Sequence, residues 1–177
     1  MDQIEKTTKK NLIYDGKILQ LYNDQIETPG GKVAYREYVN HHGGASILAI
    51  DDDNNIYLVE QYRYAYKQLL LEIPAGKLEK GEDALVCAKR ELKEEIGADC
   101  KDIKQIDLIY PTPGYTNEPL HIFLAKGLTF GDTKWDDDEY LNIKKIPFDK
   151  ALEMVKSGEL KDAKTVIAIM RYALFKE

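Results

Sequence analysis

The sequence predicts an α+β fold with a mixed β-sheet. The first observation is the order of the hydrophobic patterns, which runs from strands to one helix, back to strands, and then to two helices. This order differs from the regular strand–helix alternation of doubly wound parallel folds. The second observation is size and composition, because 177 residues with 44% hydrophobic and 32% charged residues suit one domain with a small extension.

The N-terminal part of the chain is predicted to form an extension to that domain. Residues 1–10 are polar, and we expect them to be frayed. Two strand patterns, Ile18 to Thr28 and Lys32 to Asn40, flank the turn residues Pro29-Gly30-Gly31 and predict an antiparallel β-hairpin. A lone hairpin is marginally stable, so it must pack on something, and a partner subunit is one possibility. We therefore separate residues 1–42, predicted to form a dimer, from a main domain over residues 43–177.

The main domain begins with short apolar runs that are typical of strands. The polar run Asp51 to Asn55 lies between two of them and is more typical of a hairpin turn than of a calcium loop, because it lacks the glycine and distal glutamate of an EF-hand. Two segments, residues 111–119 and 127–135, are predicted to be loops. Strands are expected over residues 45–50, 56–62, 69–74, 103–110, 120–125 and 141–146, and helices within 76–98 and over 148–156 and 162–175.

The helix within residues 76–98 has a predicted buried stripe. An α-helix advances about 100° per residue, which gathers five apolar side chains on one face. A glycine loop at Gly76 precedes the helix, and Gly97 ends it. The predicted stripe consists of Ala84, Leu85, Ala88, Leu92 and Ile96.

Three carboxylates crowd the edge of this stripe. Glu91 and Glu95 lie one turn apart, and Glu94 lies just beyond them. Like charges at this spacing repel each other, and oxygen-rich clusters of this kind bind hard divalent cations. Arg90 is the nearby cation, and its planar fork can hold a carboxylate in place. The alternative is a solvated charged face, but the lysines that would normally separate the carboxylates, Lys89 and Lys93, point to the opposite side.

The stretch Gly76 to Ala98 resembles the Nudix box. The family pattern is Gly, five residues, Glu, seven residues, Arg-Glu, an aliphatic residue, any residue, Glu-Glu, any residue, Gly, and an aliphatic or small residue. All specified positions match, at Gly76, Glu82, Arg90, Glu91, Leu92, Glu94, Glu95, Gly97 and Ala98. The resemblance implies the Nudix fold, in which a mixed sheet is sandwiched between helices. It also implies metal-dependent hydrolysis of a nucleoside diphosphate linked to another group.

Segments outside the box resemble the ADP-ribose pyrophosphatase branch of this family. Pro113 stands fifteen residues beyond Ala98, close to the marker of that branch. The resemblance covers roughly residues 12 to 175. It continues in the runs Glu60-Gln61-Tyr62-Arg63, Glu72-Ile73-Pro74-Ala75-Gly76, Tyr115-Thr116-Asn117-Glu118 and Ser157 to Thr165.

The resemblance implies roles for individual residues. Glu91, Glu95, the carbonyl oxygen of Ala75 and Glu139 would bind two or three Mg²⁺ ions, with Mn²⁺ as the alternative. Glu94 would take part in catalysis, bound to the metal directly or through water. The general base would be Glu139 or Asp137, and the sequence leaves that choice open because three aspartates precede Glu139. Glu82 and Arg90 would fix the geometry between loop and helix.

Further residues would bind the substrate. Arg63 would reach the diphosphate or the terminal ribose. Arg36 and Glu37 match a pair that contacts the adenine side from the other subunit, which makes the hairpin a candidate for strand exchange in a homodimer. The alternative for these two residues is a cross-strand ion pair with no role in binding. The site would also be lined by Leu78, Thr112, Pro113, Gly114 and Glu118.

Composition restricts the partners. The net charge of −6 disfavours binding to nucleic acid or to anionic membranes. No apolar run approaches membrane-spanning length, and the polar N-terminus has no apolar core of a signal peptide, so we expect a cytoplasmic protein. The predicted activity is Mg²⁺-dependent hydrolysis of ADP-ribose to AMP and ribose 5-phosphate. The alternatives are hydrolysis of another nucleoside diphosphate sugar and a non-catalytic nucleotide sensor.

Overall fold

The computed structural model describes residues 3–135 and 140–175, which form two compact units. The first unit comprises the described residues of Met1–Gly43 together with Tyr110–Pro119. The second comprises the described residues of Gly44–Ile109 and Leu120–Glu177.

The first unit contains a four-stranded antiparallel sheet built on the predicted hairpin. Its strands are β1 (Lys6–Lys9), β2 (Leu12–Asp15), β3 (Gln20–Glu27) and β4 (Val33–Asn40). Strand β3 pairs with β4 along its whole length, and β1 and β2 pair with opposite ends of its other edge. The hairpin closes where the Thr28 amide donates to the Lys32 carbonyl at 2.8 Å. The prediction that residues 1–10 are frayed is wrong for β1, whose backbone pairs with β3 although its side chains are exposed.

The second unit contains two sheets. The first is mixed, in the order β8 (Ala75–Lys77), β5 (Gly44–Ala49), β10 (Leu120–Phe130) and β9 (Ala98–Ile109). Strands β5 and β10 are parallel, and the other pairs are antiparallel. The second sheet is antiparallel, in the order β11 (Asn142–Pro147), β6 (Asn55–Arg63) and β7 (Gln68–Glu72). Among the described residues, a single isolated bridge connects the two sheets, between Ile50 and Ile56.

Within the described residues of the second unit, three helices cover the sheets. They are α1 (Ala84–Ile96), α2 (Phe148–Lys156) and α3 (Ala163–Phe175). Alternate residues of β5 enter two separate cores, because Ile47 packs with α1 residues whereas Leu48 packs with α2 and α3 residues. The predicted α+β fold, with a mixed sheet between helices, is therefore confirmed. No helix in the described part of the chain is long and apolar enough to cross a membrane.

Three local predictions in this unit are wrong. Strand β10 continues to Phe130 through the predicted loop, because it stays paired with β9 beyond Gly127. Gly76 lies in the short strand β8 rather than in a loop. Leu85 is 36% exposed, and Cys87 occupies the buried face of α1 in its place.

Candidate functional site

The motif helix α1 is closed at both ends by its own sequence. The Asp83 carboxylate accepts a hydrogen bond from the Leu85 amide at 2.9 Å, which satisfies one of the free donors of the first turn. At the other end, Gly97 adopts a left-handed conformation with φ of 65°, which glycine tolerates without strain. These caps fix where the helix begins and ends.

Glu91 lies against the backbone of β8 at the first glycine of the motif. Its side chain is buried, and a Cβ atom added to Gly76 would stand 1.6 Å from Glu91 Oε1. Gly76 pairs with Ala45 of the neighbouring strand, which holds β8 against β5 and leaves the carboxylate room only where residue 76 has no side chain. The motif therefore needs glycine at this position because the carboxylate occupies the place of its side chain.

Arg90 binds the carboxylates of the motif. Its Nη1 lies 2.6 Å from Glu91 Oε1 and 3.1 Å from Glu94 Oε2, and its Nε lies 3.2 Å from Glu82 Oε1. Partial burial lowers the pKa of the guanidinium, but the carboxylates outweigh burial and raise that pKa above its ordinary value. The hydrogen bond from Arg90 is also the main cause of the lowered pKa of Glu82. Arg90 therefore links the segment before α1 to the carboxylate face of the helix.

Glu95 is buried at the other end of the carboxylate face. Its Oε2 accepts a hydrogen bond from the Ala75 amide at 3.0 Å, so that carboxylate and strand β8 are in direct contact. The Trp135 indole donates to the Glu95 backbone carbonyl at 3.0 Å. In the sequence, Trp135 directly precedes a second acidic cluster, Asp136 to Glu139. The predicted roles of Asp137 and Glu139 in that cluster lie outside the described residues.

The donors at this face suit a hard divalent cation. Glu91 and Glu95 supply carboxylate oxygens one helical turn apart, and Ala75, which Glu95 contacts, has a backbone carbonyl oxygen to offer. Gly76 provides the space that keeps the Glu91 carboxylate beside the strand. Within residues 3–135 and 140–175, no three His, Cys, Asp or Glu side chains are grouped closely enough to form a metal centre by themselves. A cation here would therefore need further oxygen ligands beyond these side chains.

Arg63 lies at the end of β6 and is held by a buried glutamate. Its Nε and Nη2 donate to the two carboxylate oxygens of Glu72 at 2.6 and 2.7 Å. The hydrogen bond to Glu72 is the largest cause of the raised pKa of Arg63, and the charges of Asp162 and Glu95 also raise it. Arg63 is therefore close enough to Glu95 to experience the charge of that carboxylate.

Leu78 lines a cleft at the start of α1. The cleft has a volume of about 450 Å³, which lies within the range of small-molecule sites. Both apolar and polar side chains line it. The other lining residues are Glu82, Asp83, Ala84, Leu85, Ile103, Gln105, His121 and Phe123.

The remaining predicted substrate residues belong to the first unit. Arg36 binds Glu5 through Nε at 2.9 Å and also through Nη2. The alternative of a cross-strand ion pair between Arg36 and Glu37 is wrong, because the two residues are adjacent on β4 and their side chains leave opposite faces of the strand.

The proline loop is tied to the same strand. The Val39 amide donates to the Tyr115 carbonyl at 2.7 Å, and the Thr112 carbonyl accepts from the Tyr115 amide at 3.2 Å. Glu118 lies 3.5 Å from His41 Nδ1. This unit therefore brings together β4, which carries two predicted substrate residues, and the loop, which carries four. The loop residues are Thr112, Pro113, Gly114 and Glu118.

Comparisons with known proteins identify the family. The NUDIX domain family matches residues 40–168, and the chain therefore belongs to the Nudix family. The chain is 41% identical over 175 residues to an ADP-ribose pyrophosphatase of Bacillus subtilis, covering 98% of this chain and 94% of the relative. It is 40% identical over 167 residues to a methanol dehydrogenase activator of Bacillus methanolicus, covering 93% and 90%.

A solved structure supports the fold. A crystal structure described as an ADP compounds hydrolase superposes with a TM-score of 0.85 and 18% identity, covering 98% of this chain and 94% of the other. The predicted membership of the Nudix hydrolase enzymes is confirmed by the family match and by the similarity to the Bacillus subtilis enzyme.

Sequence reasoning missed three contacts around the site. These are the bond from Trp135 to the Glu95 carbonyl, the pairing of Arg36 with Glu5, and the binding of Arg63 by Glu72. Two of these contacts join segments that are 31 and 40 residues apart in sequence, whereas Arg63 and Glu72 lie nine residues apart on the neighbouring strands β6 and β7. No local pattern indicates any of the three contacts. The runs Glu60 to Arg63 and Glu72 to Gly76, noted for their resemblance, mark Arg63 and Glu72 individually but do not indicate the contact between them.

Proposed function

We propose that this protein hydrolyses the diphosphate of ADP-ribose to AMP and ribose 5-phosphate, using Mg²⁺. The observation that carries the proposal is the placement of Glu91 and Glu95 against strand β8, one in the space left by Gly76 and the other on the Ala75 amide. The 41% identity to an ADP-ribose pyrophosphatase over almost the whole chain supports the choice of substrate.

We assign the metal ligands to Glu91, Glu95, the Ala75 carbonyl and Glu139, with two or three ions bound. A divalent cation at this place would neutralise diphosphate charge and lower the pKa of a bound water. Glu94 lies one turn above Arg90, which binds the carboxylates of both Glu91 and Glu94. Glu139 or Asp137 accepts the proton of the attacking water, and the choice between them stays open.

In the proposed reaction, water splits the diphosphate between its two phosphorus atoms. The water oxygen forms a bond to one phosphorus, and the bond from that phosphorus to the bridging oxygen breaks. One product keeps the water oxygen and the other keeps the bridging oxygen. Arg63 stabilises the diphosphate charge, and the resemblance assigns the terminal ribose to Thr112, Pro113, Gly114 and Glu118. Leu78 is assigned to the wall of the site.

The adenine side is assigned to Arg36 and Glu37 of a second subunit. This assignment rests on the resemblance and requires a homodimer with exchanged N-terminal strands, in which residues 1–42 act as the dimer-forming extension. Exposed apolar side chains on the first sheet support it, since Leu12, Ile13 and Val33 are all more than 40% exposed. Sedimentation of the intact chain at micromolar concentration should show a dimer, and a monomer alone would contradict the exchange. A cytoplasmic location likewise stays a prediction.

A substrate panel tests the activity directly. The protein is incubated with Mg²⁺ and ADP-ribose, ADP-glucose, GDP-mannose, NADH or a diadenosine polyphosphate, and the products are identified. We expect ADP-ribose among the fastest substrates. A preference for another sugar would favour the second candidate, which is supported by the 33% identity to a GDP-mannose pyrophosphatase of Salmonella typhimurium over 76% of this chain. No turnover of any compound would favour the nucleotide sensor.

Glu95→Gln tests the metal assignment. The amide keeps the size of the side chain but is a poorer metal ligand than a carboxylate, so we expect turnover to fall about 100-fold or more. Glu153→Gln on α2 is the matched control, because Glu153 is an exposed helix carboxylate that pairs only with a neighbouring lysine in the described contacts. Near wild-type turnover of Glu95→Gln would refute the ligand assignment.

A further inference from the structure

Arg63 belongs to a cluster of four charged groups, whose other members are Glu72, Lys164 and Asp162. Glu72 at the end of β7 is 2% exposed, and Lys164 in the first turn of α3 is 8% exposed. Lys164 Nζ contacts Glu72 Oε2 directly and lies 2.9 Å from Asp162 Oδ1. Glu72 therefore binds two cations at once, Lys164 from below and Arg63 from the surface side.

The inner half of this cluster is fixed by hydrogen bonds to the backbone. The Thr165 hydroxyl donates to Asp162 Oδ2 at 2.6 Å and accepts from the Ile73 amide at 2.8 Å. The Thr165 amide also donates to Asp162 Oδ2, at 3.0 Å. The start of α3 is thereby joined to the end of β7, and Lys164 and Glu72 are joined with it.

If it served only to stabilise the fold, this cluster would cost free energy. Burying charged groups loses their hydration, and replacing a buried ion pair by apolar residues of similar volume is often neutral or stabilising. Burial raises the pKa of Glu72, but Arg63 and Lys164 outweigh that effect and keep the pKa below its ordinary value. The carboxylate is thus kept ionised at the position where it meets the arginine.

The outer half of the cluster leaves part of Arg63 available. Glu72 takes one side of the guanidinium, through Nε and Nη2. In the described part of the chain, no acceptor takes the other three N–H groups, and the side chain is 41% exposed. A guanidinium held on one side presents its opposite edge in a fixed orientation, which suits an anion with paired oxygens.

We propose that Glu72 and Lys164 are positioning residues that hold the Arg63 guanidinium with its free edge toward the substrate diphosphate. This inference rests on the proposed function, in which Arg63 contacts the diphosphate. Glu72 orients the arginine through the two-point contact. Lys164 supplies the second positive charge that Glu72 needs, so that Glu72 does not draw Arg63 further inward.

A positioning role and a simple charge effect predict changes in KM that differ in direction. Lys164→Met makes the cluster more negative, whereas Glu72→Gln makes it more positive. A charge effect alone would raise the KM of an anionic substrate in the first variant and lower it in the second. Positioning predicts that both variants raise KM, because each one releases the guanidinium from its fixed orientation.

The test measures kcat and KM for ADP-ribose with Mg²⁺ in both variants, each made in the wild-type and in the Arg63→Ala background. We expect each variant to raise KM about tenfold in the wild-type background, with kcat changed less than about threefold. In the Arg63→Ala background we expect changes below about twofold, because the group being positioned is absent. Lys156→Met, which removes an exposed lysine paired with Glu153, is the matched control and should leave KM unchanged.

Thermal unfolding of each variant accompanies the kinetics. Should Lys164→Met not fold, Lys164→Gln keeps a hydrogen-bond donor without the charge and is expected to raise KM in the same way. An equal rise in KM in the wild-type and Arg63→Ala backgrounds, or a lowered KM in Glu72→Gln, would overturn the positioning role. If Arg63→Ala itself left KM and kcat unchanged, the proposed role of Arg63 would be wrong instead. Wild-type protein that does not hydrolyse ADP-ribose would contradict the proposed function itself.

Discussion

Gly76→Ala should disable the enzyme without unfolding it. The added Cβ would lie 1.6 Å from Glu91 Oε1, 2.0 Å from its Cδ and 2.7 Å from its Cγ, whereas ordinary contacts begin at 3.4 Å. The carboxylate must therefore move by roughly 2 Å, ten times the tolerance of about 0.2 Å for a metal–ligand distance. A displacement of even ~1 Å in a catalytic group costs about 100-fold in rate, which corresponds to ~3 kcal/mol of activation free energy.

The stability of the same variant should change little. The clash involves the outer part of a flexible side chain rather than backbone, and alanine also restricts the unfolded chain, which favours folding by about 0.4–1 kcal/mol. Urea unfolding should therefore give a free energy within ~1 kcal/mol of wild type. Turnover as a function of Mg²⁺ concentration should show lower kcat and a higher half-saturating concentration. Gly30→Ala is the control, because a Cβ there meets nothing within 4 Å.

Two results would refute this reasoning. Wild-type turnover and Mg²⁺ dependence would mean that the contact between Gly76 and Glu91 has no part in catalysis. A loss of several kcal/mol in stability would mean that Glu91 cannot yield and that the contact is structural. Either result would be clear from the two measurements together.

Three further predictions concern stability. Partial burial raises the pKa of Asp51, but hydrogen bonds from Lys145 and the Asn55 backbone outweigh burial and lower that pKa to about 2. Asp51→Asn should therefore lower the free energy of unfolding by about 1–2 kcal/mol above pH ~4. The difference from wild type should close as the pH falls toward 2, because the carboxylate becomes protonated in the folded protein. Urea titrations across pH measure this. Thr165→Val should lower the free energy of unfolding by about 1–3 kcal/mol, because the Ile73 amide loses its acceptor. Gly97→Ala should lower the thermal midpoint, because φ is 65° and a Cβ would stand 2.5 Å from a carbonyl oxygen.

Each of these has a control or a contradicting outcome. An Asp51→Asn difference that persists unchanged at pH 2 would mean that ionisation of this carboxylate does not stabilise the fold. Thr165→Ser keeps the hydroxyl, so its free energy of unfolding should stay close to that of wild type. Equal losses of unfolding free energy in Thr165→Ser and Thr165→Val would indicate lost packing instead. For the glycine, Gly114→Ala adds a Cβ that meets nothing within 4 Å, and an equal shift there would contradict the steric argument.

Local patterns predicted the elements whose information is local. Helix α2 was predicted with its observed bounds, and α1 with its glycine end, because periodicity and caps lie within each segment. The crowding of carboxylates on α1 was visible for the same reason, since residues four apart must share a helix face. Leu85 was misplaced because strand β8 approaches α1 on the side of Cys87, and only the assembled fold contains that information.

Features that depend on distant segments could not be predicted. Strand β1 has exposed side chains and no alternating pattern, so only its pairing with β3 defines it. Lys164 is separated from Glu72 by 92 residues, and each alone looks like an ordinary surface charge in the sequence. The carboxylate face of α1 could therefore be predicted from the sequence, whereas the contacts that hold Arg63 could not.

The bond between Trp135 and the Glu95 carbonyl makes the site optically observable. The chain contains a single tryptophan, so intrinsic fluorescence at long wavelength arises from one known place. Trp135 is 40% exposed, and its indole donates a hydrogen bond to the backbone carbonyl of Glu95, a proposed metal ligand. Emission from the unlabelled protein should therefore respond to cation binding in a simple titration, which separates loading of the site from turnover.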